Sequence, residues 1–195
     1  MSERKATITR KTHETEIAMV LNLDNAGECK ISTGIGFLDH MLSSFAVHGG
    51  FGLQLKCNGD LDVDCHHTVE DVGIVVGRAI KEALTKSATP FMRYGSARIP
   101  MDEALGWCDI DISGRPYLVF KADFACERIG QLDTQMIKEF MYSLAINARI
   151  TMHVGGEGEN DHHKVEAMFK AMAYALRAAV QVNADGKVIS TKGVL

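Results

Sequence analysis

The chain has no apolar run approaching the roughly 18 to 20 residues that span a bilayer. Its polar start, Ser2-Glu3-Arg4-Lys5, leads into no hydrophobic stretch of the signal-peptide kind. It has no excess of basic residues: 21 Lys and Arg stand against 25 Asp and Glu, a net charge of −4. That gives no electrostatic case for nucleic acid. It has no CxxC motif, and its five cysteines (29, 57, 65, 108 and 126) are scattered and odd in number. They read as free thiols in a reducing cytoplasm. Three prolines and the lack of any low-complexity stretch argue against a disordered linker.

What is present is ordinary in bulk and unusual in detail. The 195 residues are 46% hydrophobic and 24% charged, a globular composition large enough for one domain or two half-domains. Two copies of one short pattern stand out: His66-His67-Thr68-Val69-Glu70 and His162-His163-Lys164-Val165-Glu166. On a helix, His66 and Glu70 are one turn apart on one face, as are His162 and Glu166. Adjacent histidines diverge by about 100°, so His67 and His163 serve a different ion from their neighbours. A lone His-x-x-x-Glu is usually a solvated helix face; the second copy turns the pair into a two-metal expectation.

The repeat extends outward. Ile35-Gly36-Phe37-Leu38-Asp39 recurs as Ile129-Gly130-Gln131-Leu132-Asp133, each Asp placed to cap a helix, over 41–47 and 135–147 respectively. Alternating segments at 52–57 and 149–154 read as strands, followed by His-His helices over 66–84 and 162–180. Upstream, 6–10 and 16–23 form one hairpin-like pair, and 107–112 and 117–124 another, with a turn at Ser113-Gly114-Arg115-Pro116. Each half reads strand, strand, helix, strand, strand, helix. The half-domains are 1–92 and 93–184, with a tail at 185–195. In this register His40 falls opposite Thr134, and His153 on the preceding strand is a further donor. The eight candidate ligands are His40, His66, His67, Glu70, His153, His162, His163 and Glu166. They divide into two sets of three imidazoles and one carboxylate. Such nitrogen–oxygen donors suit Mn, Fe, Co or Zn.

Six motifs in order over almost the whole chain resemble the imidazoleglycerol-phosphate dehydratase family: Phe37-Leu38-Asp39-His40-Met41, His66 to Asp71, Met101 to Ala104, Ser113 to Tyr117, Gly158 to His163 with Glu166, and Ser190 to Leu195. The resemblance implies an α+β fold of two homologous half-domains, each a four-stranded sheet with helices packed on one face. It implies two Mn2+ per active site and an octahedral homo-oligomer of twenty-four subunits, with sites between neighbouring chains. The implied reaction, in histidine biosynthesis, converts imidazoleglycerol phosphate to imidazoleacetol phosphate plus water, through an imidazolate on two metal ions and a diazafulvene-like intermediate. It implies Glu14 as the first acid/base candidate; Asp102 and Glu103 are the second candidates for that carboxylate, and His48 is a candidate partner for the leaving hydroxyl or a structural histidine. For the substrate and its phosphate it implies Glu14, Arg93, Arg115, Ser190 and Lys192. Cys65 departs from the Asp expected there and leaves the support of His66 open. A metal-dependent phosphohydrolase and a metal-stapled structural assembly remain as rival readings.

Overall fold

The computed structural model describes residues 3–86, 90–186 and 189–190. The first half runs β1 (Lys5–Lys11), β2 (Thr15–Asn22), β3 (Cys29–Ser32), α1 (Gly36–Gly49), β4 (Gly52–Gly59) and α2 (His66–Thr85). The second runs β5 (Tyr94–Met101), β6 (Ala104–Asp111), β7 (Tyr117–Lys121), a small hairpin of β8 (Arg128–Ile129) and β9 (Leu132–Asp133), then α3 (Gln135–Ala148), β10 (Thr151–Glu157) and α4 (Asp161–Ala179). The sheets have the same topology, β1-β2-β4-β3 and β5-β6-β10-β7, with β3 parallel to β4 and β7 parallel to β10. The architecture is the α+β fold of two four-stranded sheets that the resemblance implied.

The strand alternation explains the layering. In β2, Thr15, Ile17, Met19 and Leu21 are buried and the residues between them are not, so one face of the sheet is apolar. The helices fill the space between the two sheets. α2 packs on β1 and β2, α4 packs on β5 and β6, and across the middle α2 meets α3 and α1 meets α4. One continuous core therefore joins both halves, with Phe140 and Phe169 stacked at 5.3 Å between ring centroids.

Three local expectations are corrected. No strand stands between β4 and α2 or between β10 and α4: the strand missing from the first half is the short edge strand β3 and that missing from the second is β5, and both precede the first helix of their half. The segments 107–112 and 117–124 are not a hairpin: β6 pairs antiparallel with β5 and β10, and β7 pairs with β10. β5 was hidden by Gly95 and Pro100, both tolerable on an edge strand. Neither Asp caps a helix. Asp39 lies inside the first turn of α1 and accepts hydrogen bonds from Thr33 N and Oγ1 at 2.8 and 2.6 Å, while Asp133 lies in β9 and pairs with Arg128.

α4 approaches its sheet too closely for side chains at Gly95 of β5 and Gly106 of β6. A Cβ added to Gly106 would lie 2.3 Å from the Ala167 carbonyl carbon. Gly106→Ala is expected to lower unfolding free energy by about 1–3 kcal/mol through overpacking. Gly36→Ala at the start of α1, with nothing within 4 Å, should be neutral or stabilising by up to about 1 kcal/mol. Chemical denaturation of both variants checks this; equal midpoints would contradict the close packing.

Candidate active site

The donors gather at helix N-termini. Asn160 caps α4, its side chain accepting from His162 N and His163 N at 2.9 and 3.4 Å. At α2, Asp64 Oδ1 accepts from the backbone N of His66 at 2.6 Å. Cys65 itself is buried, and burial pushes its thiol pKa up. These contacts fix where each His-His pair begins.

His40, His162 and Glu166 form one group whose ligand atoms lie within 4.8 Å of one another, the one group of three among the described residues. Glu166 Oε2 is 3.3 Å from both His40 Nε2 and His162 Nε2. Its other oxygen accepts from Lys170 Nζ at 2.8 Å. Burial pushes the Glu166 pKa up, but Lys170 and His40 outweigh it, and the carboxyl stays below its ordinary value. A buried carboxylate held ionised with one oxygen turned toward two imidazoles fits a divalent cation. In the other half, His66 Nε2 lies 3.8 Å from Glu70 Oε2.

The second histidine of each pair meets carboxylates. His67 Nδ1 is 2.9 Å from Asp60 Oδ2, and its Nε2 is 3.6 Å from Glu14 Oε1 in the β1–β2 turn. His163 Nδ1 is 2.9 Å from Glu103 Oε2 and 3.9 Å from Asp102 Oδ2, both in the β5–β6 turn. A carboxylate on Nδ1 selects the tautomer that leaves Nε2 as an acceptor for metal. Glu14 and the pair Asp102 and Glu103 thus occupy corresponding turns of the two halves, next to corresponding histidines.

The helices also reveal a repeat register that the sequence motif obscures. The buried positions of α1 recur in α3 at a spacing of 99 residues, from Phe37 with Met136 to Gly49 with Ala148. Those of α2 recur in α4 at 96, the difference being the shorter loop before α4. His40 therefore corresponds to Glu139, not Thr134. The row His40, Ser44, His48 on α1 runs along α4, where His48 lies 5.8 Å from Tyr174 between ring centroids. The matching row Glu139, Ser143, Asn147 runs along α2. There Cβ atoms at Gly73 and Gly77 would meet Ser143 and Asn147 at 3.0 and 2.9 Å, and Arg78 Nε donates to Asn147 Oδ1 at 3.4 Å. Arg78 corresponds to Tyr174, and Glu70 to Glu166. Glu139 thus holds, relative to Glu70, the station that His40 holds relative to Glu166. The shared burial pattern was the signal; Ile-Gly-x-Leu-Asp masked it, because its second copy folds as the β8–β9 hairpin.

Other expected residues lie elsewhere. His153 is exposed on β10, paired in register with Asp109, on the sheet face turned away from the helices. His48 is two helical turns from His40, about 12 Å along the axis. Its pKa is lowered by burial and by Lys170. Arg93 and Arg115 converge on Asp111 at the end of β6. Arg93 Nη1 donates to Ile189 O at 2.6 Å, which brings Ser190 near them in sequence. Lys192 lies outside the described residues.

Fold and site define a duplicated α+β protein whose halves each present a His-His-x-x-Glu helix to a carboxylate-bearing turn. The family model described as imidazoleglycerol-phosphate dehydratase matches residues 33–176. The imidazoleglycerol-phosphate dehydratase of Methanosarcina mazei is 53% identical over 193 residues, 98% of this chain and 100% of that protein; that of Listeria monocytogenes is 51% identical, with 98% and 100% covered. The crystal structure of the Staphylococcus aureus enzyme superposes with a TM-score of 0.83 at 39% identity, covering 92% of this chain and 99% of that one. The Pyrococcus furiosus structure gives 0.81 at 38%, covering 96% and 100%. The chain belongs to the imidazoleglycerol-phosphate dehydratase family and is, with it, a hydro-lyase.

The paired carboxylates set a pH dependence. The hydrogen bond to Asp60 raises the His67 pKa, and that to Glu103 raises His163, while His163 and Asn160 N hold the Glu103 carboxyl down at about 2. A histidine must be neutral to bind metal. Protons therefore compete for these two from a higher pH than the ordinary histidine value of about 6.5. Asp60→Asn and Glu103→Gln should each move the midpoint of the adjacent histidine to lower pH. NMR titration of the metal-free protein reads this; unmoved midpoints in both variants would contradict the assigned pairs.

Proposed function

We propose that the chain removes water from imidazoleglycerol phosphate to give imidazoleacetol phosphate in histidine biosynthesis, with Mn2+ as the bound metal. The observation that carries this is the convergence of His40 and His162 on one oxygen of an ionised, buried Glu166. Divalent cations on both donor sets would supply positive charge to the two ring nitrogens of the substrate imidazole and favour loss of the ring proton. Every donor is nitrogen or oxygen, which suits Mn2+ better than a thiolate-selecting metal.

The chain's own residues take the remaining tasks. Glu14, 3.6 Å from His67, is the base for the poorly acidic proton on the glycerol carbon. Asp102 stands at the corresponding turn and is the second candidate. Asp60 and Glu103 orient His67 and His163, and Lys170 keeps Glu166 ionised. Arg115, Ser190 and Lys192 hold the phosphate, with Arg93 beside them.

One set is His40, His162 and Glu166. The other is His66 and Glu70 with Glu139, which the repeat register favours over His153. His67 and His163 each point away from their neighbours and complete sets on other copies of the chain, which supports a homo-oligomer with shared sites. Five unpaired cysteines support a cytoplasmic setting, and no helix among the described residues is long and apolar enough to cross a membrane.

The test is anaerobic metal analysis beside turnover. His66→Ala and His162→Ala should each lower Mn2+ content and abolish most activity. Arg115→Ala and Lys192→Ala should keep the metal and lose substrate affinity by about 10- to 150-fold, one charged hydrogen bond of roughly 1.5–3 kcal/mol. Full metal and normal rates in both histidine variants would sink the two-metal site, and release of inorganic phosphate in place of water would favour a phosphohydrolase.

A further inference from the structure

Arg93, immediately before β5, has φ at 68°, a left-handed conformation unusual for a residue with a side chain. Two backbone hydrogen bonds hold it there, Arg93 N to Ala179 O at 2.8 Å and Ile112 N to Arg93 O at 3.0 Å. Its side chain is 11% exposed, and the guanidinium lies 4.7 Å from the Tyr94 ring centroid. Nε and Nη2 donate to the two carboxylate oxygens of Asp111 at 2.6 and 3.1 Å, and Nη1 donates to Ile189 O at 2.6 Å. Arg115, 73% exposed, approaches Asp111 Oδ2 at 3.5 Å with its Nη2. One carboxylate therefore joins a part-buried guanidinium that clips the C-terminal segment to an open guanidinium at the surface.

We propose that Asp111 is a positioning residue for the phosphate end of the substrate. The proposal rests on the reading of Arg115 and the tail as phosphate contacts. Two guanidiniums at one carboxylate leave one net positive charge, which attracts an anion while limiting mutual repulsion. The two-pronged pair fixes the plane of Arg93. That plane aims Nη1 at Ile189, the residue before Ser190. Asp111 touches no substrate itself; it sets where the groups that do so stand.

Asp111→Asn keeps the side-chain shape and removes the charge. On Mn2+-loaded protein, KM for imidazoleglycerol phosphate should rise about 10-fold or more with kcat changed less than about threefold. Inhibition by inorganic phosphate should weaken in parallel, while inhibition by free imidazole and metal content hold. Asp111→Glu should recover part of the loss. If Asp111→Asn does not assemble, Arg93→Lys, which keeps the charge and loses the two-pronged grip, carries the same comparison. A wild-type KM in Asp111→Asn beside a raised KM in Arg115→Ala overturns the inference. Wild-type KM in both overturns the phosphate reading beneath it. Imidazole and phosphate inhibition weakening together would mean that Asp111 acts on the whole fold, and the positioning role fails.

Discussion

Two histidines that follow one another on a helix point about 100° apart and cannot close on the same ion. That constraint governs the rest of the site. Within each half it leaves one histidine aligned with the glutamate a turn further on and sends the other toward the hairpin turn of its own sheet. The second histidine then meets Asp60 and Glu14 in one half and Glu103 and Asp102 in the other. A donor so oriented has no partner set on its own helix, which supports the proposal of sites shared between copies.

The fold serves that arrangement by repeating it. Each half places a helix N-terminus against a two-stranded turn, and each is braced by the other's helices across one core. The bracing differs between halves in ways the residues explain. α2 carries Gly73 and Gly77, so that α3 can lie against its backbone, while α4 lies against Gly106 of its sheet. In the first half, Asp71 on α2 takes Thr15 Oγ1 at 2.5 Å and Arg10 Nη2 at 2.7 Å, and so fixes the turn that bears Glu14. Both arrangements bring a rigid helix and a carboxylate turn to a set separation, which a site built from loops alone would not hold.

Much of this was legible from residue order. The His-His helices, the first hairpin, β4 and β10 followed from periodicity and fell close to their observed bounds, because amphipathic spacing reports directly on a shared core. The edge strands β3 and β5 were not, since an edge strand carries weak alternation and tolerates Gly and Pro, and β7 was read within 117–124 but given the wrong partner. The candidate donors on helices came from spacing, and Glu14 from resemblance. The proposed donor Glu139 was not named because an i, i+4 row along a helix becomes visible only when its neighbour across the interface is known. Asp60 escaped for the same reason, and Glu103 was named as an acid/base candidate and not as the partner of His163: both contacts depend on where a turn lands, not on any local pattern. His153 looked like a donor because it precedes a His-His helix, but strand alternation turns it to the far side of the sheet.

Anomalous diffraction at the manganese edge, on crystals of the Mn2+-loaded protein, tests the central claim most directly. Two peaks per chain are predicted. One lies among His40, His162 and Glu166 with His67 of a neighbouring copy, the other among His66, Glu70 and Glu139 with His163 of a neighbour. A single peak, a peak held by His153, or both sets completed within one chain would contradict the account.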